Sequence, residues 1–269
     1  MNPTPPSTPR MFSLNGRIAL VTGGCQNLGL EIATGLAEAG ASVAVTSRDA
    51  AKAEAAAARL AKLHGVQTFG VSMDVRDEAS VTDGFRRAEE ALGPLDIVVN
   101  NAGGATDATG KLETETLASW RAYVDLNLTS AFLCVREAAR RMIPRKKGAI
   151  VNIASITSLV GRDRSVYDGT SMKNPVAYTA SKAGVLGLTY DAAAYLGAHG
   201  IRVNAVSPGG FERGQPASFI AAYSARTMQG RMGRDGWDLK GAVLFLVSDA
   251  AAYVTGHNLV VDGGFTRFK

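Results

Sequence analysis

Several classes of residue are scarce in this chain, and each scarcity excludes something. It has only two cysteines, Cys25 and Cys134, in neither a metal nor a redox spacing. A disulfide framework is therefore excluded, and a reducing, cytoplasmic location is expected. The three histidines, His64, His199 and His257, stand isolated and form no zinc pattern, so no metal is expected. No apolar run approaches the ~18 residues of a membrane span, so no membrane partner is expected. Charged residues make up 20% of the chain, and the net charge is a modest +5. The basic residues cluster only at Arg140-Arg141 and Arg145-Lys146-Lys147, around an expected helix end. There they complement the helix dipole as a solvated cap, and no nucleic-acid surface is expected. Residues 1–12 hold four prolines and no apolar core, and read as a disordered tail rather than a secretory signal.

What is present is alternation. Short apolar runs read as buried strands at Arg17–Thr22, Ser42–Thr46, Thr68–Met73, Ile97–Asn100, Ala149–Ile153, Ile201–Val206 and Leu259–Val261. Helical spacing falls between them: Leu28–Ala39, Ala50–Leu63 with Asp49 as its N-cap, Ala79–Leu92, and a long pattern over Leu117–Met142. A further helix carries Tyr178, Pro216–Arg234 is helical in pieces, and Leu239–Val247 is the last helix. Such alternation predicts an α/β fold, a mostly parallel sheet with helices on both faces, over residues 13–269 as a single domain.

Three stretches carry chemistry. The first strand runs into Gly23, Gly24 and Gly29 and then into a helix, an arrangement that brings a backbone and a helix N-terminus up to a phosphate. The second strand ends in Ser47-Arg48-Asp49. In a nucleotide-binding unit an arginine there suits the 2′-phosphate of NADP, where an acid would suit the ribose hydroxyl of NAD. Third, Tyr178 and Lys182 stand four apart and share one helix face. A phenol titrates near pH ~10. A neighbouring ammonium lowers that value, and the pair can then exchange a proton with a substrate oxygen near neutrality. Asn127 lies inside the long helical pattern, where asparagine is a poor helix former, and marks a kink or a polar contact.

Together Thr22-Gly23, Gly29, Asp74, Asn100-Asn101-Ala102-Gly103, Asn127, Ser155, Tyr178-x-x-x-Lys182 and Pro208-Gly209 resemble the short-chain dehydrogenase/reductase family, in the family's order, from Leu14 to Phe265. The sugar and gluconate dehydrogenases and the 3-oxoacyl reductases are its nearest-looking members. The resemblance implies a Rossmann-type, doubly wound sheet of seven strands and a catalytic tetrad. Tyr178 would be the general acid/base, and Lys182 would lower its pKa and hold the nicotinamide ribose. Ser155 would bind the substrate oxygen, and Asn127 would hold a water in a relay to Lys182. For the cofactor, the resemblance implies contacts from Gly23, Gln26, Asn27, Leu28 and Gly29 at the phosphates, and from Ser47 and Arg48 at the ribose. Asp74 and Val75 would lie near the adenine, Asn101, Ala102 and Gly103 along the adenosine, and Pro208, Gly209 and Phe211 beside the nicotinamide. NADP(H) is favoured over NAD(H). A homotetramer through the two long helices is also implied, and the apolar run Tyr190–Tyr195 would be buried by a partner.

This chain departs from the family pattern in three places. Asn27 replaces a glycine, and asparagine tolerates left-handed backbone. Ser155 and Tyr178 are 23 positions apart, more than is usual, so a charged insertion between Gly161 and Pro175 is expected to loop out. Gly210-Phe211-Glu212-Arg213-Gly214 lacks a threonine for the carboxamide, leaving that contact to backbone groups. The walls of the substrate pocket would then hold Glu212, Arg213 and Gln215, with Arg162, Asp163, Arg164, Tyr167 and Lys173 from the insertion. These charges either face a polar substrate, a sugar, polyol or sugar acid, or face solvent or a neighbouring subunit. A 3-oxoacyl-thioester reductase and a non-catalytic, nucleotide-binding redox sensor are the alternative functions.

Overall fold

The computed structural model of the chain describes residues 6–104, 111–173 and 175–268. Met1–Pro5 of the expected tail and Asn174 of the charged insertion lie outside the described residues. Within the tail, Thr8–Met11 (α1) forms one helical turn, started by a proline in its first positions.

The strands are β1 (Ile18–Val21), β2 (Ser42–Ser47), β3 (Thr68–Ser72), β4 (Ile97–Asn100), β5 (Gly148–Ile153), β6 (Ile201–Pro208), two-residue β7 (Phe211–Glu212) and β8 (Gly233–Arg234), and β9 (Asn258–Val261). Seven of them form one sheet in the order β3-β2-β1-β4-β5-β6-β9, and every pairing is parallel. The helices are α2 (Asn27–Glu38), α3 (Ala50–His64), α4 (Glu78–Leu92), α5 (Leu117–Val124), α6 (Ser130–Met142), α7 (Val176–Gly197), α8 (Ala217–Ser224) and α9 (Lys240–Val247). Asp49 caps α3 as expected, its carboxylate accepting from Lys52 N at 3.2 Å.

Side chains alternate across each strand and so feed two cores. Ala19, Val21, Ile97, Val99 and Val151 pack with α2, α3 and α9 on one face. Leu20, Val98 and Ile150 pack with α4, α6 and α7 on the other. A strand covered on both faces must be apolar throughout, which is why these strands read as continuous runs. The order reverses between β1 and β4, and a doubly wound sheet opens its crevice at that point, outside the strands' C-terminal ends.

Three sequence expectations change. The long helix over Leu117–Met142 is broken by a π-helical segment, Asp125–Thr129, centred on Asn127. Within Pro216–Arg234 only Ala217–Ser224 is helical, and the end of the stretch pairs Gly233 with Phe211 and Arg234 with Glu212. The basic cluster is also not a simple solvated cap. Arg145 reaches Asp96 at 2.8 Å and Lys147 reaches it at 3.0 Å, while Arg140 and Arg141 hold the buried Glu137. No helix among the described residues is long and apolar enough to cross a membrane.

Candidate active site

The glycine turn after β1 opens one end of the crevice. Gly23 has φ 61° and Asn27 has φ 50°, so asparagine takes the left-handed conformation expected of it. Gly29 is needed for close packing, because a Cβ there would meet Gly23 O at 2.1 Å and Asn101 Nδ2 at 2.5 Å. The N-cap of α2, Gln26, makes no side-chain cap, which leaves the first N–H groups of that helix for a ligand. Asn101 serves the turn itself. Its amide donates to Thr22 O at 3.0 Å and Gly23 O at 3.2 Å, while Thr22 Oγ1 accepts from Asn101 N and Ala102 N. A cleft of about 870 Å³ runs from this turn across the strand ends. Gly23, Gln26, Asn27, Leu28, Gly29, Ser47, Arg48, Asp74, Val75, Asn101, Ala102, Gly103, Ser155, Tyr178, Lys182, Pro208 and Gly209 all line it. The expected cofactor contacts are therefore brought together, with one exception. The Phe211 ring is 2% exposed and packs in the core against Gly233, away from the cleft.

At the adenosine end the cleft is more cationic than the sequence reading anticipated. Lys52, Arg59 and Arg76 join exposed Arg48 along its wall. Lys52, Ala55, Ala56 and Arg59 are spaced as one helix face of α3, a signal present in the sequence. Arg76 grips the Asp74 carboxylate with bonds of 3.0 Å and 2.6 Å and holds it below the usual carboxylate range.

The other end holds the four expected catalytic groups. The π-helical turn faces Asn127 inward, where it is 1% exposed. Its Nδ2 donates to Gly104 O at 3.0 Å and Tyr123 O at 3.1 Å, and its Oδ1 accepts from Gly104 N at 2.9 Å. Both amide protons are spent on the backbone, so one acceptor lone pair is all its side chain retains for a water. Below the site, Asn100 donates to Asn152 at 2.8 Å and Asn152 to Thr189 at 2.9 Å. This buried ladder ties β4 and β5 to α7 and holds the helix of Tyr178 and Lys182 in register. Asn100 is thus a strut whose partners have no local signature in the chain.

Lys182 is 4% exposed and donates from Nζ to Ile153 O at 2.7 Å. Burial pushes its ammonium down to about 8. Ser155, 8% exposed, accepts from Thr157 N at 3.3 Å and Thr157 Oγ1 at 3.1 Å, and lines the cleft together with Tyr178. Despite the insertion, Ser155 and Tyr178 meet. Tyr178 differs from expectation in one respect: burial raises its pKa, and the groups opposing that rise are first the Ser155 hydroxyl, then Arg162, and more weakly Arg213. Lys182 Nζ lies 5.9 Å from the centre of the Tyr178 ring, yet its charge is not the leading influence on the phenol.

The outer wall comes from the insertion and from the loop after β7. Arg162 places its guanidinium carbon 5.7 Å from the centre of the Tyr178 ring. Asp163 pairs instead with Arg226 on the loop after α8, at 2.5 Å. Arg213 lines the cleft and stands 3.9 Å from Asp235, a loose pairing. Gln215 is occupied within its own loop, bonding Arg213 N at 2.6 Å and Phe211 O at 2.7 Å. Glu212, Arg164 and Lys173 are exposed.

The comparisons with known proteins agree with this geometry. A family model described as enoyl-(acyl carrier protein) reductase matches residues 23–266. The chain is 39% identical over 254 residues to cis-4-hydroxycyclohexanecarboxylate dehydrogenase of Sinomonas cyclohexanicum, covering 93% of this chain and 96% of that one. It is 34% identical over 258 residues to the 3-oxoacyl-(acyl-carrier-protein) reductase of Aquifex aeolicus, covering 94% and 98%. It superposes with a TM-score of 0.86 on a gluconate 5-dehydrogenase from Burkholderia cenocepacia crystallised with NADP and tartrate, at 35% identity over 95% of this chain and 97% of that one. The chain belongs to the short-chain dehydrogenase/reductase family, and is an NAD(P)-dependent oxidoreductase acting on CH–OH groups.

Proposed function

We propose that the substrate is a secondary alcohol carried on a small carboxylic acid, a sugar acid or an alicyclic hydroxy acid, or the corresponding ketone. The observation that carries this reading is Arg213, a guanidinium on the cleft wall whose acidic neighbour among the described residues, Asp235, is a loose partner at 3.9 Å. A guanidinium binds a carboxylate bidentately, which fixes orientation as well as charge. Two of the relatives point the same way, one named for a hydroxycyclohexanecarboxylate and one for gluconate.

The nicotinamide nucleotide supplies the hydride acceptor or donor when bound. Gly23 to Gly29 and the α2 N-terminus would hold its phosphates, and Arg48, with Lys52 and Arg59 beside it, favours the 2′-phosphate of NADP. Tyr178 moves the proton at the substrate oxygen, giving it during reduction and taking it during oxidation. Ser155 donates a hydrogen bond to that oxygen as negative charge grows on it. Lys182, Gly103 and Asn127 form the floor, and Asn127 braces that floor through Gly104. We further place the enzyme in the cytoplasm as a homotetramer.

Initial rates with gluconate and with 4-hydroxycyclohexanecarboxylate, each against its neutral amide, test the substrate class. The reading requires kcat/KM to fall at least about tenfold for the amides, and for the acids only in Arg213→Ala. A second reading, a 3-oxoacyl-thioester reductase, draws on the Aquifex relative. Faster turnover of an acetoacetyl thioester than of either acid would favour it.

A further inference from the structure

We propose that Arg162, carried over the catalytic tyrosine by the insertion between Ser155 and α7, is the positioning residue that tunes the acidity of Tyr178. The inference rests on the acid–base role assigned to Tyr178 above, but its test reads the phenol directly and needs no substrate.

The insertion is built to hold Arg162 in place. Its next residue, Asp163, is clamped by Arg226 Nε at 2.5 Å and caps the 3-10 turn Arg164–Tyr167 through Ser165 N at 2.9 Å. Arg226 also reaches Ser165 Oγ at 2.8 Å. An exposed ion pair contributes little by itself. Apolar contacts do more: Val166 is 2% exposed in a cluster with Ile156, Phe219, Tyr223 and Met232, and the Tyr167 ring lies 5.2 Å from that of Phe219. The loop is thus pinned to α8 immediately after Arg162, and the guanidinium is directed back toward α7.

Arg162 itself is half-buried, and its buried Nε has no hydrogen-bond partner among the described residues. Among the described residues, the groups whose charge acts on it are Tyr123 from α5, Tyr167 and Arg164 from its own loop, and Tyr178 from α7. None of these is a carboxylate. A partly desolvated cation is costly without an anion beside it. Its geometry over the Tyr178 ring favours the form of that residue with the most negative charge, the phenolate. Tyr178 in turn faces Ser155 from the end of β5, Lys182 one turn along its own helix, Arg213 from the loop after β7, and Tyr167. Of the two guanidinium groups, Arg162 has the larger effect. Lys182 is turned to Ile153 O, and its burial weakens its hold on a proton. Arg162 therefore brings a second positive charge from the insertion to the ring that Lys182 already neighbours.

The test is an ultraviolet phenolate titration of the full chain, taken as the difference between the protein with Tyr178 and the protein with Tyr178→Phe. It is run with Arg162 intact, with Arg162→Met and with Arg162→Lys. The Tyr178 midpoint is expected to rise in Arg162→Met, cutting the phenolate fraction at fixed pH by about tenfold, and to return most of the way in Arg162→Lys. Arg162→Gln replaces the Met variant if that protein fails to melt cooperatively. An unchanged midpoint in Arg162→Met, or Lys and Met variants that shift alike, would overturn the proposal. So would lost turnover with an unmoved midpoint, which would assign Arg162 to binding the substrate.

Discussion

Asn127 and Gly104 exchange two hydrogen bonds. The Gly104 N–H donates to Asn127 Oδ1 at 2.9 Å, and Asn127 Nδ2 donates to Gly104 O at 3.0 Å. The π-helical turn brings the amide to that loop, which lines the cleft at Gly103 and Gly104. Asn127→Ala should therefore destabilise the fold by ~3 kcal/mol, since it strands buried backbone groups. It should also lower kcat more than it weakens nucleotide binding. Urea unfolding and steady-state kinetics measure the two effects, and a variant as stable as wild type would show the clamp to be dispensable.

Arg48 stands at the end of β2 on the cleft wall. Arg48→Ala should weaken NADPH binding about tenfold or more and leave NADH binding nearly unchanged. Isothermal titration with each nucleotide decides the point. Equal losses for both nucleotides would remove Arg48 from the phosphate site.

Lys182 sets a pH dependence of stability. Its pKa is about 8 in the fold against 10.5 for the ordinary side chain. Between those values the unfolded chain binds more protons than the native one, so this group makes stability rise with pH across that window. Below it, the folded protein carries a buried ammonium at a cost of up to about 3 kcal/mol. Lys182→Met should be more stable than wild type at neutral pH, and the advantage should shrink toward alkaline pH. Melting temperatures of the two proteins across the window check the sign, and a pH-independent difference would contradict it.

Apolar side chains stand exposed on the helices expected to pair: Leu117 and Trp120 on α5, Phe132 on α6, and Tyr190 and Tyr195 on α7. Surface of that kind is usually covered. Sedimentation equilibrium should give a tetramer, and Phe132→Glu with Tyr195→Glu should reduce it to smaller species. A monomeric wild-type chain would mean that these side chains serve something else.

Much of this was legible in the sequence because parallel strands buried on both faces leave continuous apolar runs and their connecting helices leave periodic ones. The Asn127 interruption was legible as a poor helix former, though its conversion into a π turn depends on Gly104, far away in the chain. Lys52 and Arg59 follow the spacing of one α3 face, but that spacing alone does not say that the face borders a cleft. The struts Asn100 and Asn152 lie inside strands, where nothing local marks a partner. Phe211 was carried over from a family position, but its ring is drawn into the core by β7–β8 pairing. Arg162 was counted among the charges of the pocket wall, but its station over Tyr178 depends on how the insertion docks on α8, a tertiary fact with no local signature.

Everything in the proposed reaction turns on Tyr178 carrying the proton at the substrate oxygen. The direct test is single-turnover reduction of NADP by a hydroxy acid in wild type and in Tyr178→Phe, with NADPH affinity measured on both proteins. The variant should lose about 10³-fold in rate while binding NADPH as well as wild type. A variant that turns over within a few-fold of wild type would contradict it.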